Sequence, residues 1–333
     1  MASLTTTTER PVWARRACSR LVAPAALVHL APAGLLLVLL ATLPSVFSRT
    51  GLLSLLLLAS ILGIAAIGQT WAVLIGGIDL SIPAVMGMAD VLLTTRYAAG
   101  WSPTATFLLI AVLAVVIGVA NGIGSSVLGL HPLIVTLATG AITTGAVLQA
   151  THGDTGGKVP GFVTEAVSPG GRTGPFPVPL ALVLWVVLAA VVVLVERRGV
   201  LGRHVYALGT NRTAASLALV RPMRTRVAVY TVSALGAAVA GVLLGGFSGG
   251  ASADIGAPYL FSTITAVVVG GTSLLGGRGG YPRTISGVLV TIEMTMLLIG
   301  FDLDASMQQV LLGLLILVLV ALYGRDKHIA QRI

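Results

Sequence analysis

Charge is what this sequence has least of: only 9% of its 333 residues are Asp, Glu, Lys or Arg, and 56% are hydrophobic. A soluble domain carries about 25% charged residues, so a water-soluble globule is excluded. Cysteine is nearly absent. Cys18 stands alone, which leaves no disulfide framework and no CxxC metal or redox motif. Aromatic residues make up 5% of the chain. Phe47, Tyr97, Trp101, Phe107, Phe176, Tyr206, Tyr230, Tyr259, Phe301 and Tyr323 fall near the ends of apolar runs, where rings anchor at headgroup depth. Few rings are then left for the interior, and a tight internal sugar site built on aromatic stacking is not expected.

What the chain has instead is apolar sequence in long runs. Ten of them approach the ~20 residues that a bilayer core requires: Ala25–Phe47, Leu52–Ile75, Ile82–Ala99, Thr106–Val127, Leu133–Thr151, Val178–Val195, Ala228–Gly249, Leu260–Leu275, Thr284–Phe301 and Met307–Tyr323. The runs are continuous rather than alternating, which argues for helices and against a barrel. The expected fold is an all-α polytopic membrane bundle of about ten transmembrane helices over residues 25–323, between tails at 1–24 and 324–333. The first run is longer than the 7–15 apolar residues of a secretory signal and no clear A-x-A site follows it, so it reads as a retained helix. Residues 1–20 read as a disordered, Thr-rich tail.

The sparse charges are unevenly placed. Arg10, Arg15, Arg16 and Arg20 precede the first run, and Arg278 and Arg283 follow the eighth. Arg325, Lys327 and Arg332 close the chain. Between Glu196 and Arg226 lies a basic island with Arg197, Arg198, Arg203, Arg212, Arg221, Arg224 and Arg226 against the single acid Glu196. With the N-terminus in the cytoplasm and ten crossings, every cluster falls inside, as the positive-inside rule requires. The mixed stretch His152–Pro177 falls outside. The formal charge of +9 is thereby a signature of topology, not of nucleic-acid binding.

Catalytic patterns fail on inspection. Gly246-Phe247-Ser248-Gly249-Gly250 fits G-x-S-x-G, but a serine nucleophile needs a base, and no histidine follows Ser248 within a span. Gly241, Gly245, Gly246 and Gly250 read better as small residues that let helices approach. Gly156-Gly157-Lys158 lacks the first glycine and the Ser/Thr of a phosphate loop. No catalytic residue, no metal site and no cofactor of the chain's own are expected. Ionisable residues within spans are functional candidates. Asp90 and Glu293 are two, either lining a polar pathway with Gln69, Asn121 and Gln149 or making interhelical hydrogen bonds to Ser or Thr. Asp79 sits at a turn, where it is expected to cap the next helix.

The basic island has a local structure of its own: Asn211 is a plausible N-cap, Ala214, Ala215, Leu217 and Ala218 offer a small apolar face, and Pro222 ends the element.

Three stretches in order carry a resemblance. Gly76-Gly77-Ile78-Asp79-Leu80-Ser81, Leu133-Ile134-Val135-Thr136-Leu137-Ala138-Thr139, and the run from Ala266 through Gly270-Gly271-Thr272-Ser273-Leu274-Leu275-Gly276-Gly277-Arg278-Gly279 resemble the membrane subunit of bacterial ATP-binding-cassette importers for simple sugars, the ribose and xylose permease family. The likeness extends from about residue 35 to about residue 323. It marks Gly77, Asp79, Gly270, Gly271, Ser273, Gly277 and Arg278 as motif positions. It implies that the loop 196–227 docks a separate ATPase, with Gly209, Asn211, Ala214, Ala215 and Leu217 in the contact. It further implies a second permease copy, identical or not, an extracytoplasmic sugar-binding protein, ATP and Mg bound by the partner ATPase, and residence in the bacterial cytoplasmic membrane with both termini inside. A branched-chain amino-acid permease of the same architecture is the nearer alternative, although its corresponding turn usually reads Ile-Asn-Phe-Ala-His-Gly. An ion-coupled secondary transporter is the more distant one, since it calls for matching broken helices in two halves.

Overall fold

A computed structural model describes residues 25–330, so the tail expected over residues 1–24 lies outside the described residues. All regular structure in the described part is helical apart from one isolated bridge between Thr173 and Phe176. In chain order the helices are α1 (Ala25–Thr42), α2 (Arg49–Leu74), α3 (Ile82–Ala98), α4 (Pro103–Val127), α5 (Pro132–Ala150), α6 (Gly161–Ala166), α7 (Leu180–Arg198), α8 (Val200–Thr210), α9 (Arg212–Leu217), α10 (Pro222–Ser248), α11 (Tyr259–Val269), α12 (Tyr281–Gly300) and α13 (Ala305–Ala330).

A helix stands at each of the ten apolar runs. Six of them, α2, α4, α5, α7, α10 and α12, are both long and apolar enough to cross a membrane. The eighth run differs from expectation: α11 stops at Val269, and its 11 residues reach about 16 Å, half of a ~30 Å bilayer core. The cause is the glycine series that follows. Gly271, Gly276 and Gly277 take φ values of +77°, +84° and +72°, a left-handed backbone that no helix continues and that side chains disfavour. At the other end, α13 runs on to Ala330, so the residues expected as a tail after Tyr323 begin as helix.

Helix α10 is the central strut, packed along α2, α3 and α4. Its contact with α4 is backbone to backbone, since a Cβ on Gly118 or Gly122 would fall 2.5 or 2.4 Å from Cα of Thr231 or Val227. On the α3 side, Gly241 lies against Met86 and Gly245 against Asp90, while Gly246 faces Val163 of α6. The small-residue reading of these three glycines holds; Gly250 has nothing near it. Ser248 donates to the carbonyls of Gly245 and Gly250 at the helix end.

The aromatic expectation is overturned in part. Tyr230 and Tyr281 are fully buried, and Trp71 and Trp185 are nearly so. The interior of the described residues therefore holds these four rings; for three of them the polar atoms give the reason, since Trp71, Trp185 and Tyr281 all spend an N–H or O–H on buried acceptors, while the Tyr230 hydroxyl is buried without a partner.

Candidate functional site

The three motifs meet. Helix α2 ends at Leu74, and the chain reverses through Gly76, at φ +77°, with Gly77 N donating to Ala72 O. Asp79 is buried, and its Oδ1 accepts from both the backbone N and the hydroxyl of Ser81. The Ser81 Oγ accepts from Asn121 Nδ2 at 2.9 Å, and Asn121 Oδ1 accepts from the Thr139 hydroxyl. Leu80 N donates to Thr136 Oγ1 at 3.0 Å. The first motif is thereby locked to the second, through side chains of α4 and α5. Two expectations are corrected here. Asp79 closes the turn before α3 rather than capping it, because Ser81 is the N-cap residue and the helix starts at Ile82. Asn121 is committed to this strut instead of standing free toward a pathway.

The third motif joins at the end of α2. Gly277 N donates to Leu74 O at 2.9 Å, and Ser273 N to Arg278 O at 2.9 Å closes the glycine-rich turn on itself. Helix α8 rests on this junction. A Cβ on Gly209 would fall 1.8 Å from Leu74 O and 2.8 Å from Gly277 N, so only glycine lets α8 sit directly over the Leu74–Gly277 hydrogen bond. Gly270 is also tightly seated, where a Cβ would fall 2.6 Å from Arg283 O.

The basic island is two helices, not one loop. Asn211 Oδ1 accepts from Ala214 N at 3.0 Å, the cap its position in the sequence suggests. Pro222 does not end this element; α9 stops at Leu217 and Pro222 opens α10, where a missing N–H costs nothing. The apolar face also divides. Ala215 is 3% exposed and packs into its own chain, whereas Leu217 and Leu219 are 82% and 88% exposed. Ala215 is thus unavailable for docking, and the exposed tip is formed by Ala214, Leu217, Ala218 and Leu219. Arg226 is no topology charge in solvent either: it is buried and donates to Ser125 O.

Glu196 is the residue that sequence reasoning placed wrongly. It lies in the last turn of α7, buried, and its carboxylate accepts from Trp71 Nε1 and from Tyr281 N. Tyr281 N is the first N–H of α12, where a carboxylate also meets the helix dipole. The Tyr281 hydroxyl in turn donates to Gly63 O and accepts from Trp185 Nε1, both at 2.9 Å. Nearly two turns into α8, the Tyr206 hydroxyl donates to Gly279 O at 3.0 Å. Burial, with the Glu196 charge nearby, pushes Tyr206 up to about 12, so this donor keeps its proton. An acid within a run of arginines, just where a span ends, was the available signal.

No hydrogen bond joins the three residues expected along a pathway. Asp90 Oδ2 accepts from Ser252 N at 3.0 Å in the segment after α10, an inter-element bond to backbone rather than to a Ser or Thr side chain. Glu293, in α12, is 3% exposed and its Oε2 has no partner. Gln149 lies exposed near the end of α5. Gln69 is fully buried with neither amide atom paired. Among the described residues, no group of three or more His, Cys, Asp or Glu is placed to hold a metal.

Residues 51–320 match the family described as branched-chain amino acid transport system / permease component. The ribose import permease protein RbsC of Bacillus subtilis (strain 168) is 31% identical over 282 residues, covering 84% of this chain and 86% of that one. RbsC of Haemophilus influenzae is 30% identical over 283 residues, covering 83% and 86%. The autoinducer 2 import system permease protein LsrD of Photorhabdus luminescens is 29% identical over 242 residues, covering 72% and 70%. No solved structure matches.

Proposed function

The chain belongs to the branched-chain amino acid transport system permease family, and on that premise we propose that it is the membrane subunit of an ATP-driven importer for a simple sugar. The relatives named for ribose and autoinducer 2 import favour that cargo over an amino acid, as does the Gly-Ile-Asp-Leu-Ser turn.

The observation that carries the reading is the seat of α8. Gly209 lies on the hydrogen bond that joins the end of α2 to the glycine-rich turn, so a push on α8 and α9 is delivered to the junction of all three motifs. Packed elements switch between discrete arrangements rather than deforming smoothly. A separate ATPase, binding ATP and Mg, docks on the α9 tip and rocks the bundle between inward- and outward-open states. An extracytoplasmic binding protein supplies the sugar, and a second permease copy, identical or not, completes the channel. In this reading the chain crosses the bacterial cytoplasmic membrane about ten times with both termini inside. Asp90, Gln149 and Glu293 face the pathway, with the unpaired buried Glu293 the leading member. Asn211, Ala214 and Leu217 contribute to docking, and Gly209 and Ala215 support it from beneath.

The test is reconstitution. In proteoliposomes holding the chain with an ATPase and a binding protein encoded beside it, ribose-class sugar should enter only with ATP, and the chain alone should carry nothing. ATP-independent uptake by the chain alone would instead identify a secondary carrier, and uptake of leucine but not sugar the amino-acid reading.

A further inference from the structure

Arg224 lies in the wall of two adjoining grooves. One, about 490 Å³, is bounded by Ile123 of α4 and by Met223, Val227, Ala228 and Thr231 of α10. The other, about 460 Å³, is bounded by His204 of α8, by Leu219 and Arg221, and by Thr225. Both volumes fall within the ~300–1,000 Å³ of ordinary ligand sites.

The two differ in chemistry and in depth. The first is lined almost wholly by carbon and lies between α4 and α10, two of the helices long and apolar enough to span. From Met223, next to the first residue of α10, to Thr231 the groove descends about 12 Å along the axis. The second groove sits at the mouth of the first and gathers Arg221, Arg224 and His204 with no acid in either wall. Arg221 and Arg224 are exposed, and among the described residues neither donates a side-chain hydrogen bond. Arg226, two residues on, spends its guanidinium on Ser125 O. An apolar trough running along two span-length helices from a pair of unspent guanidinium groups is complementary to a molecule with a long hydrocarbon chain and an anionic head.

We propose that these grooves form one site for an anionic phospholipid, with the phosphate on Arg221 and Arg224 and an acyl chain along Ile123, Met223, Val227 and Thr231. Guanidinium groups pair phosphate oxygens with fork geometry, and basic pockets at the ends of membrane helices take acidic headgroups. The occupant lies beside His204 of α8, so it braces the helix that carries Gly209.

The full-length chain purified in detergent is titrated with phosphatidylglycerol, with phosphatidylcholine of the same acyl chains, and with inorganic phosphate, and thermal unfolding is followed. Phosphatidylglycerol should raise the midpoint, and the other two should not. Arg221→Gln with Arg224→Gln should weaken the phosphatidylglycerol effect roughly thirtyfold in concentration, at about one kcal/mol per interfacial cation. Arg197→Gln with Arg198→Gln, exposed on the same face outside the grooves, should leave it unchanged. Ile123→Trp, which fills the trough and keeps both arginines, should weaken it as well. Equal stabilisation by phosphatidylcholine would reduce the trough to ordinary annular contact, and stabilisation by inorganic phosphate would assign the cations to a free anion. An arginine pair indistinguishable from its control would leave the residues as topology charges; each of these three results overturns the proposal.

Discussion

The Glu196 carboxylate accepts the indole N–H of Trp71 at 2.8 Å and the first backbone N–H of α12, from Tyr281, at 3.1 and 3.0 Å to its two oxygens. One acid at the foot of α7 therefore ties together α2 and α12, directly before the chain turns into α8. The basic helices and the bundle share this corner.

Removing that acceptor has a definite cost. Glu196→Leu leaves the Trp71 and Tyr281 N–H groups buried and unpaired, at about 1–3 kcal/mol each. The unfolding midpoint in detergent should fall clearly, and Glu196→Gln, which keeps one carbonyl oxygen, should fall between that variant and wild type. A wild-type midpoint for Glu196→Leu would contradict the tie.

Gly209→Ala places a methyl 1.8 Å from Leu74 O, so α8 has to lift from the junction. Membrane insertion is set by the apolar runs and should be unchanged. ATP-driven uptake should drop at least tenfold, and the ATP hydrolysed per sugar moved should rise. Full uptake by this variant would mean that the close seat is unimportant to coupling.

The proposed sidedness is checked with single cysteines in a Cys18→Ser background. Gly161 and Ser216 are both exposed, so burial masks neither. An impermeant thiol reagent should label Gly161→Cys in intact cells and Ser216→Cys only after lysis. Labelling of Ser216→Cys in intact cells would invert the topology.

How far the sequence reaches depends on whether the deciding interaction is local. The helices at the ten apolar runs were legible because a long continuous apolar stretch marks a helix without reference to distant residues; Leu52–Ile75 and the observed Arg49–Leu74 agree to within a helix turn. The Asn211 cap was legible because its partner is three residues away. The end of α11 was not, because Leu274 and Leu275 extend the hydropathy past glycines that had already turned the chain. Glu196 was counted with the arginines beside it; its acceptor role is set by Trp71 and Tyr281, 125 and 85 residues distant. The inward turn of Ala215 is likewise fixed by packing, which the composition of a six-residue helix does not reveal.

Glu293 is buried with an unpaired oxygen, the kind of ionisable group within a span that the proposed pathway would use. Glu293→Gln should keep assembly with the ATPase and lower uptake severalfold. Asp90→Asn, whose amide oxygen can still accept from Ser252 N, should affect uptake less. Equal, wild-type uptake in both would remove the pathway role.

The proposed ATPase contact at the α9 tip is tested by co-purifying the ATPase with two variants of that short helix. Leu217→Glu changes a side chain that is 82% exposed, so the permease should unfold at the wild-type midpoint yet lose its ATPase, because a carboxylate buried unpaired in an interface costs several kcal/mol. Ala215→Glu, buried in its own chain, should instead lower the permease's own midpoint. Stable Leu217→Glu permease that still retains its ATPase and imports at the wild-type rate would contradict the claim.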